Sequence, residues 1–426
     1  MIPSPLHNVL QQTDASFLPY GAARAGYSTP ALVAETFGEP QAEYAAIRKG
    51  CALIDLPHRA VIRVTGADRI DFLNRMVTAE LRPAARPSKA AGVEQAPQPP
   101  LTAFHCRRSF WLNRKGRIDA DLRLVELPDE MLIDTDVLVG SAAAASLTSF
   151  VFSEDVAFTD ATQRMHRIAL HGPQALELLG KVSQHVAGPH LAELQPDQAA
   201  IVAIAGRRIV VDRQDSTGEF GLELFVDAEH ITDVFECLLD AGHDVAQRAG
   251  GRTGPNMHAK AFGLRLAGWA AYNTARIENG WPLFNIDFGT DSLPAETGVL
   301  TDRVSFTKGC YLGQEVVARM QALGHPKKQL VALRVATGTA AGAGAQPVTG
   351  SAVYPADEAG TTTPPPGQPI GAVTSSTRSP MLGDAPICFA QVKYEHTTPG
   401  TRLSLSTDGE RTDAVVQPRL RFWPRG

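Results

Sequence analysis

At Lys328 the sequence changes character, and that change limits the architectures open to the chain. Residues 328–335, 368–375, 387–394 and 402–406 read as strands separated by Gly-, Pro- and Thr-rich loops. A small all-β domain over residues 326–426 is therefore expected, with 337–366 as its long, poorly ordered loops. Residues 1–325 instead mix helix and strand signals. A chain of 426 residues exceeds one ordinary core, and at roughly 100–200 residues per domain it implies two or three.

Within the first 325 residues the signals are local and irregular in order. Residues 45–59 give a helix that Gly50 terminates and a strand that Pro57 interrupts, and 59–64 alternates as a half-buried strand does. Ile70, Leu73, Met76 and Val77 stand at helical spacing, with Asp68 placed to accept from the free N–H groups of the first turn. Residues 83–100, rich in Pro, Ala, Gln and Ser, are expected to be a disordered insertion without chemistry. A hairpin follows at 110–122, turning at 113–116. In the strand at 221–226, Leu222, Leu224 and Val226 face one side, and Glu223 and Phe225 the other. The spacing predicts a long buried helix over 257–277, stopped by Gly280.

Several function classes are excluded by composition. A net charge of -5 and a pI near 6.2 leave no electrostatic footprint for nucleic acid. No stretch of about 18 apolar residues suggests a membrane span, and the N-terminus has no basic region followed by an apolar run, so a cytoplasmic protein is expected. Five cysteines, an odd number without a CxxC, argue against a disulfide framework or a four-cysteine metal site. His58, His171 and His325 have no cysteine or carboxylate at ligand spacing, so no metal site is expected.

Chemistry concentrates in Lys308-Gly309-Cys310-Tyr311-Leu312-Gly313-Gln314-Glu315-Val316-Val317-Ala318-Arg319. Positive charge from Lys308 and Arg319 near Cys310 would favour its thiolate, the form that attacks electrophiles. The same residues could instead form a tight turn with a solvated face, Glu315 and Arg319 pairing four apart. This stretch resembles the K-G-C-Y-x-G-Q-E-x-x-A-R motif of the YgfZ family, folate-binding proteins that maintain iron–sulfur enzymes and are related to the glycine cleavage T-protein, an aminomethyltransferase. The resemblance extends to Gly66, Phe72-Leu73, Gly116-Arg117-Ile118, Gly172-Pro173, Gly218-Glu219, Arg276-Ile277-Glu278-Asn279-Gly280 and Gly371 to Ser375.

The resemblance implies an α+β fold in which three modules of the GcvT/T-protein type ring a central hole, the last being a small β-barrel. Residues 1–325 would form the folate-binding region. It implies tetrahydrofolate as cofactor and iron–sulfur client or assembly proteins as partners. Glu223 would match the T-protein glutamate that bonds the pterin, a ring whose aminopyrimidine edge offers parallel donors to a carboxylate. Asp121 matches the second of a paired Asp-Asp, with Ala120 at the first place; Tyr272 replaces an arginine; Arg276 is retained. The T-protein lacks the cysteine motif. The leading reading is a YgfZ-type protein with Cys310 as functional thiol. The alternatives are a T-protein-like aminomethyltransferase and a scaffold that docks a partner through the cysteine loop.

Overall fold

A computed structural model describes residues 3–21, 31–83, 98–248, 263–322, 324–336, 346–356, 368–407 and 410–422. Two large sheets and a barrel make up the frame, beside a two-stranded ribbon of Ser16–Tyr20 and Ala31–Thr36. The five-stranded sheet runs, in spatial order, Cys106–Leu112, Ile118–Glu126, Met131–Asp136, Arg59–Thr65 and Ala157–Asp160. The seven-stranded sheet runs Ser183–Ala187, Ala199–Ile204, Arg207–Arg213, Gly221–Asp227, Met165–His171, Cys51–Asp55 and Leu264–Leu266, and only the last pairing is parallel. The modules are not consecutive in the chain. Cys51–Asp55 belongs to the seven-stranded sheet, residues 59–160 supply the five-stranded one, and the chain then returns.

Each sheet buries one face on its own helices. Leu222, Leu224 and Val226 join Val234, Phe235 and Leu238 of the helix Ile231–Arg248, while Ile62, Val64, Leu122, Leu124 and Ile133 pack with Phe72 and Leu73 of Arg69–Met76. The other faces meet each other: Val61, Val125 and Leu132 from one sheet touch Ile201, Val210 and Phe225 from the other. Polar side chains on these facing surfaces are therefore trapped between the sheets, and this joint holds the candidate site.

The third module is a closed barrel of six strands, Lys328–Val335, Ala385–Lys393, Gly371–Ser379, Ala352–Pro355, Arg402–Thr407 and Glu410–Val416, in that spatial order. Closure removes the sheet edges. The barrel rests on the helix Trp269–Glu278: Thr274 bonds Thr377 at 2.7 Å, Ser379 donates to Glu278 at 2.5 Å, and Ser375 donates to Asp287 at 2.5 Å.

Some expectations change in detail. The helix expected from 257 starts only at Trp269; residues 257–262 lie outside the described residues, and Leu264–Leu266 is a strand with Leu264 buried. A short apolar run reads alike in either state, and pairing with Cys51–Asp55 decides it. Gly280 does follow the helix end, with a φ of 76°. Asp68 stands at its helix N-cap without bonding it; its carboxylate accepts from the Asp155 N–H at 2.8 Å instead. Most of the insertion expected at 83–100 lies outside the described residues, as does much of 337–366, although Ala352–Pro355 within it is a barrel strand. No helix among the described residues is long and apolar enough to cross a membrane.

Candidate functional site

Glu223 enters the joint because strand alternation turns it away from Leu222 and Leu224; in register it stands between Ala169 and Asp212 on the neighbouring strands. Its carboxylate is bonded through Oε2 by Arg167, which also reaches Asp134 at 2.6 Å. Arg59 grips Asp134 with two bonds, at 3.0 and 2.6 Å. Burial raises the Asp134 pKa, but Arg167 and Arg59 outweigh it and hold the group below the usual carboxylate range. For Glu223, burial dominates and pushes the pKa up, with Arg167 only partly offsetting it. No hydrogen bond to Glu223 Oε1 is present among the described residues, so that oxygen is available to a donor entering the pocket.

That pocket is lined by Glu223, Tyr272, Asp121, Arg303, His58 and the segment Trp281 to Phe284, among others. Asp121 is 14% exposed and is held side-on by Arg303, Nε to Oδ1 at 3.1 Å and Nη2 to Oδ2 at 3.5 Å. Tyr272 is buried, its hydroxyl 3.4 Å from Ser216 Oγ, and burial raises its pKa. Three of the residues named for folate, Glu223, Asp121 and Tyr272, thus come together. The free volume among them is about 30 Å³, room for about one water in liquid terms.

The inner pocket opens into a groove of about 1020 Å³ and shares Arg108, Gln214, Trp281, Pro282 and Arg303 with it. The groove is strongly cationic, with six arginines against three aspartates in its lining, in a chain whose net charge is -5. Together the cavities offer a buried carboxylate at the closed end and guanidinium groups toward solvent. That polarity suits an elongated ligand with a donor-rich ring at one end and anionic groups at the other. No barrel strand lines either cavity among the described residues.

Arg276 does not line either cavity. It is fully buried, donating to Asp287 at 2.5 Å, to the Trp281 carbonyl at 3.2 Å and to Asn273 at 2.9 Å. It therefore shapes the pocket wall from Trp281 to Phe284 from behind and stands apart from the expected ligand contact.

The motif lies elsewhere. Lys308 donates to the carbonyls of Asn74, Val77 and Ala79 at 2.6, 2.6 and 2.8 Å, which satisfies the C-terminal end of the helix Arg69–Met76. Burial pushes its pKa down to about 7, and Glu80 opposes that shift. Tyr311 covers the ammonium, its ring centre 5.1 Å away. Gly313 adopts a φ of 79°, and a Cβ there would meet the Asn113 carbonyl at 2.7 Å, so the loop can press on the hairpin turn only with glycine. Gln314 opens the helix Gln314–Ala322 and accepts from the Tyr311 N–H at 3.1 Å. Gly309, Cys310, Glu315 and Arg319 are exposed, and Glu315 and Arg319 form no ion pair with each other. Cys310 lines neither cavity. His58 and His171 are buried, and His325 stacks on Tyr394 at 4.5 Å.

Sequence reasoning missed Arg108, Arg167, Asp134 and Arg303. Charged residues on strands ordinarily read as solvated, and only the facing of the two sheets brings Arg108, Asp134 and Arg167 inward; Arg303 ends the short helix Leu300–Arg303 and reaches the pocket from there.

Residues 99–259 match the family described as the GCVT N-terminal domain, and 328–422 match the glycine cleavage T-protein C-terminal barrel domain. An aminomethyltransferase of Cutibacterium acnes is 26% identical over 428 residues, covering 99% of this chain and 98% of that protein. One from Chlorobium chlorochromatii is 27% identical, covering 96% and 94%. The crystal structure of glycine cleavage system aminomethyltransferase T from Bartonella henselae superposes with a TM-score of 0.72 at 20% identity, over 99% of both chains.

Proposed function

We propose that this chain, which has the T-protein-like fold and carries both domains of that family, binds tetrahydrofolate across the inner pocket and groove and transfers a one-carbon unit to or from it. The observation that carries the reading is Glu223: a buried carboxylate with one oxygen unbonded, aimed at the closed end of a pocket that also presents Asp121 and Tyr272. A carboxylate there complements the parallel N–H donors of an aminopyrimidine edge. With about 30 Å³ free, the inner pocket admits a bicyclic ring only when flanking side chains withdraw toward the groove, and Arg108 and Arg303 line both spaces. Full-length similarity to proteins named aminomethyltransferase supports an aminomethyl group as the unit transferred.

A YgfZ-type role is the second reading, and two features favour it. Cys310 stands exposed in a loop anchored on either side by Lys308 and by the Tyr311–Gln314 bond, and Asp121 is closed by Arg303 with only Ala120 beside it. The two readings part in one experiment. The protein is incubated with an aminomethylated lipoyl carrier and tetrahydrofolate, and ammonia and methylenetetrahydrofolate are measured. Turnover that survives Cys310→Ser supports the transferase. Absence of turnover, with iron–sulfur enzyme activities that depend on Cys310 in cells lacking the wild-type protein, supports the second reading.

A further inference from the structure

Among the groove arginines that also line the inner pocket, Arg108 and Arg303, only Arg108 lacks a counter-ion among the described residues. Arg123 is paired with Asp212 at 2.6 Å and Asp197 at 2.5 Å, Arg213 with Asp215 at 3.4 Å, and Arg303 with Asp121 at 3.1 Å. Arg108 has no carboxylate within ion-pairing distance among the described residues. Its side chain makes one hydrogen bond, from Nη2 to Gln214 Oε1, and its guanidinium carbon lies 4.2 Å from the centre of the Trp281 ring. Gln214 is itself fixed, donating to Asp212 Oδ2 at 2.8 Å. The guanidinium is thus clamped between an oriented amide and an indole face while its remaining donors stay open.

Holding a cation in this position is costly. Burial, together with Arg123 and Arg303 nearby, pushes its pKa down to about 10. A half-buried guanidinium without a counter-ion gains from an anion that pairs with it. Arg108 also lines both cavities, so it marks the passage from the pocket of Glu223 to the groove.

We propose that Arg108 is the anchor for the anionic tail of the ligand. The inference rests on the folate reading above: a carboxylate of the glutamyl tail supplies the missing counter-ion, and the planar guanidinium fork takes it through paired N–H bonds. The opposed charges of Glu223 and Arg108 then fix the direction in which the ligand lies. Arg108 discriminates tailed folates from the bare ring system.

The test uses two ligands, tetrahydrofolate and 6-methyltetrahydropterin, which has the ring and no tail. Affinities are measured by calorimetric titration of the full chain for wild type, Arg108→Gln and Arg108→Lys. Arg108→Gln is expected to weaken tetrahydrofolate at least about tenfold, about 1.4 kcal/mol, and to leave 6-methyltetrahydropterin within about twofold. Arg108→Lys, which keeps the charge, recovers part of the loss. Equal weakening of both ligands, or of neither, overturns the inference while leaving the folate reading intact. Failure of wild type to bind either ligand overturns both. A measurement on wild type alone guards against a misfolded variant: raising salt to about 0.5 M should weaken tetrahydrofolate and spare 6-methyltetrahydropterin, and identical salt responses contradict the anchor.

Discussion

Lys308 places its ammonium on three backbone carbonyls at a helix end, which is a structural task. Replacing it with methionine leaves buried acceptors without donors, each loss costing roughly 1–3 kcal/mol. Lys308→Met is therefore expected to lower unfolding free energy by about 3 kcal/mol in urea titration. Cys310→Ala, at an exposed position, is expected to change it by less than about 0.5 kcal/mol. Equal effects of the two would contradict this division of the motif. The lysine, glycine and glutamine were visible in the sequence as special residues, but their partners, Asn74, Val77, Ala79 and the turn at Asn113, lie some 200 residues away and carry no local signal.

The helix Trp269–Glu278 is the element on which the modules converge. Glu278 accepts from Tyr44 at 2.6 Å, from Arg48 and from Ser379, while Arg276 reaches Asp287, which also takes bonds from Ser375 and Thr374. Both members of the Arg276–Asp287 pair have fully buried side chains. Removing one leaves the other uncompensated, at a cost of about 3–5 kcal/mol. Arg276→Met and Asp287→Ala should each destabilise by that amount, and the double variant by much less than the sum; simple additivity in denaturant titrations would show that the pair is not coupled. The sequence marked the end of this helix through Gly280. It did not mark where Arg276 points, because position in a motif says nothing about which face of a helix meets a ligand.

For the whole molecule, two buried histidines set a pH dependence. Burial pushes His58 down to about 3 and His171 down to about 4, from an ordinary value near 6.5. Between those values the unfolded chain binds protons that the folded chain does not, so stability is present above about pH 6.5 and falls as pH drops. The slope is at most about 1.4 kcal/mol per pH unit for each histidine. Thermal midpoints should decline from pH 7 to 5, and His171→Gln should flatten the decline; an unchanged slope would contradict the assignment.

Much of the architecture was legible: the change at Lys328 gave four of the barrel's strands, because alternation and turn residues are local signals. The interleaving of the two sheets, and with it the inward turn of Arg108, Arg167 and Asp134, depends on long-range pairing that no local pattern records. Glu223 was found from strand alternation joined to the family resemblance, and it remains the centre of the proposal. Titration calorimetry with tetrahydrofolate on wild type and Glu223→Gln addresses it most directly. Saturable binding by wild type, weakened at least about tenfold in the variant by loss of a charged acceptor worth roughly 1.5–3 kcal/mol, is the expected result; no binding by wild type, or equal binding by both, would contradict it.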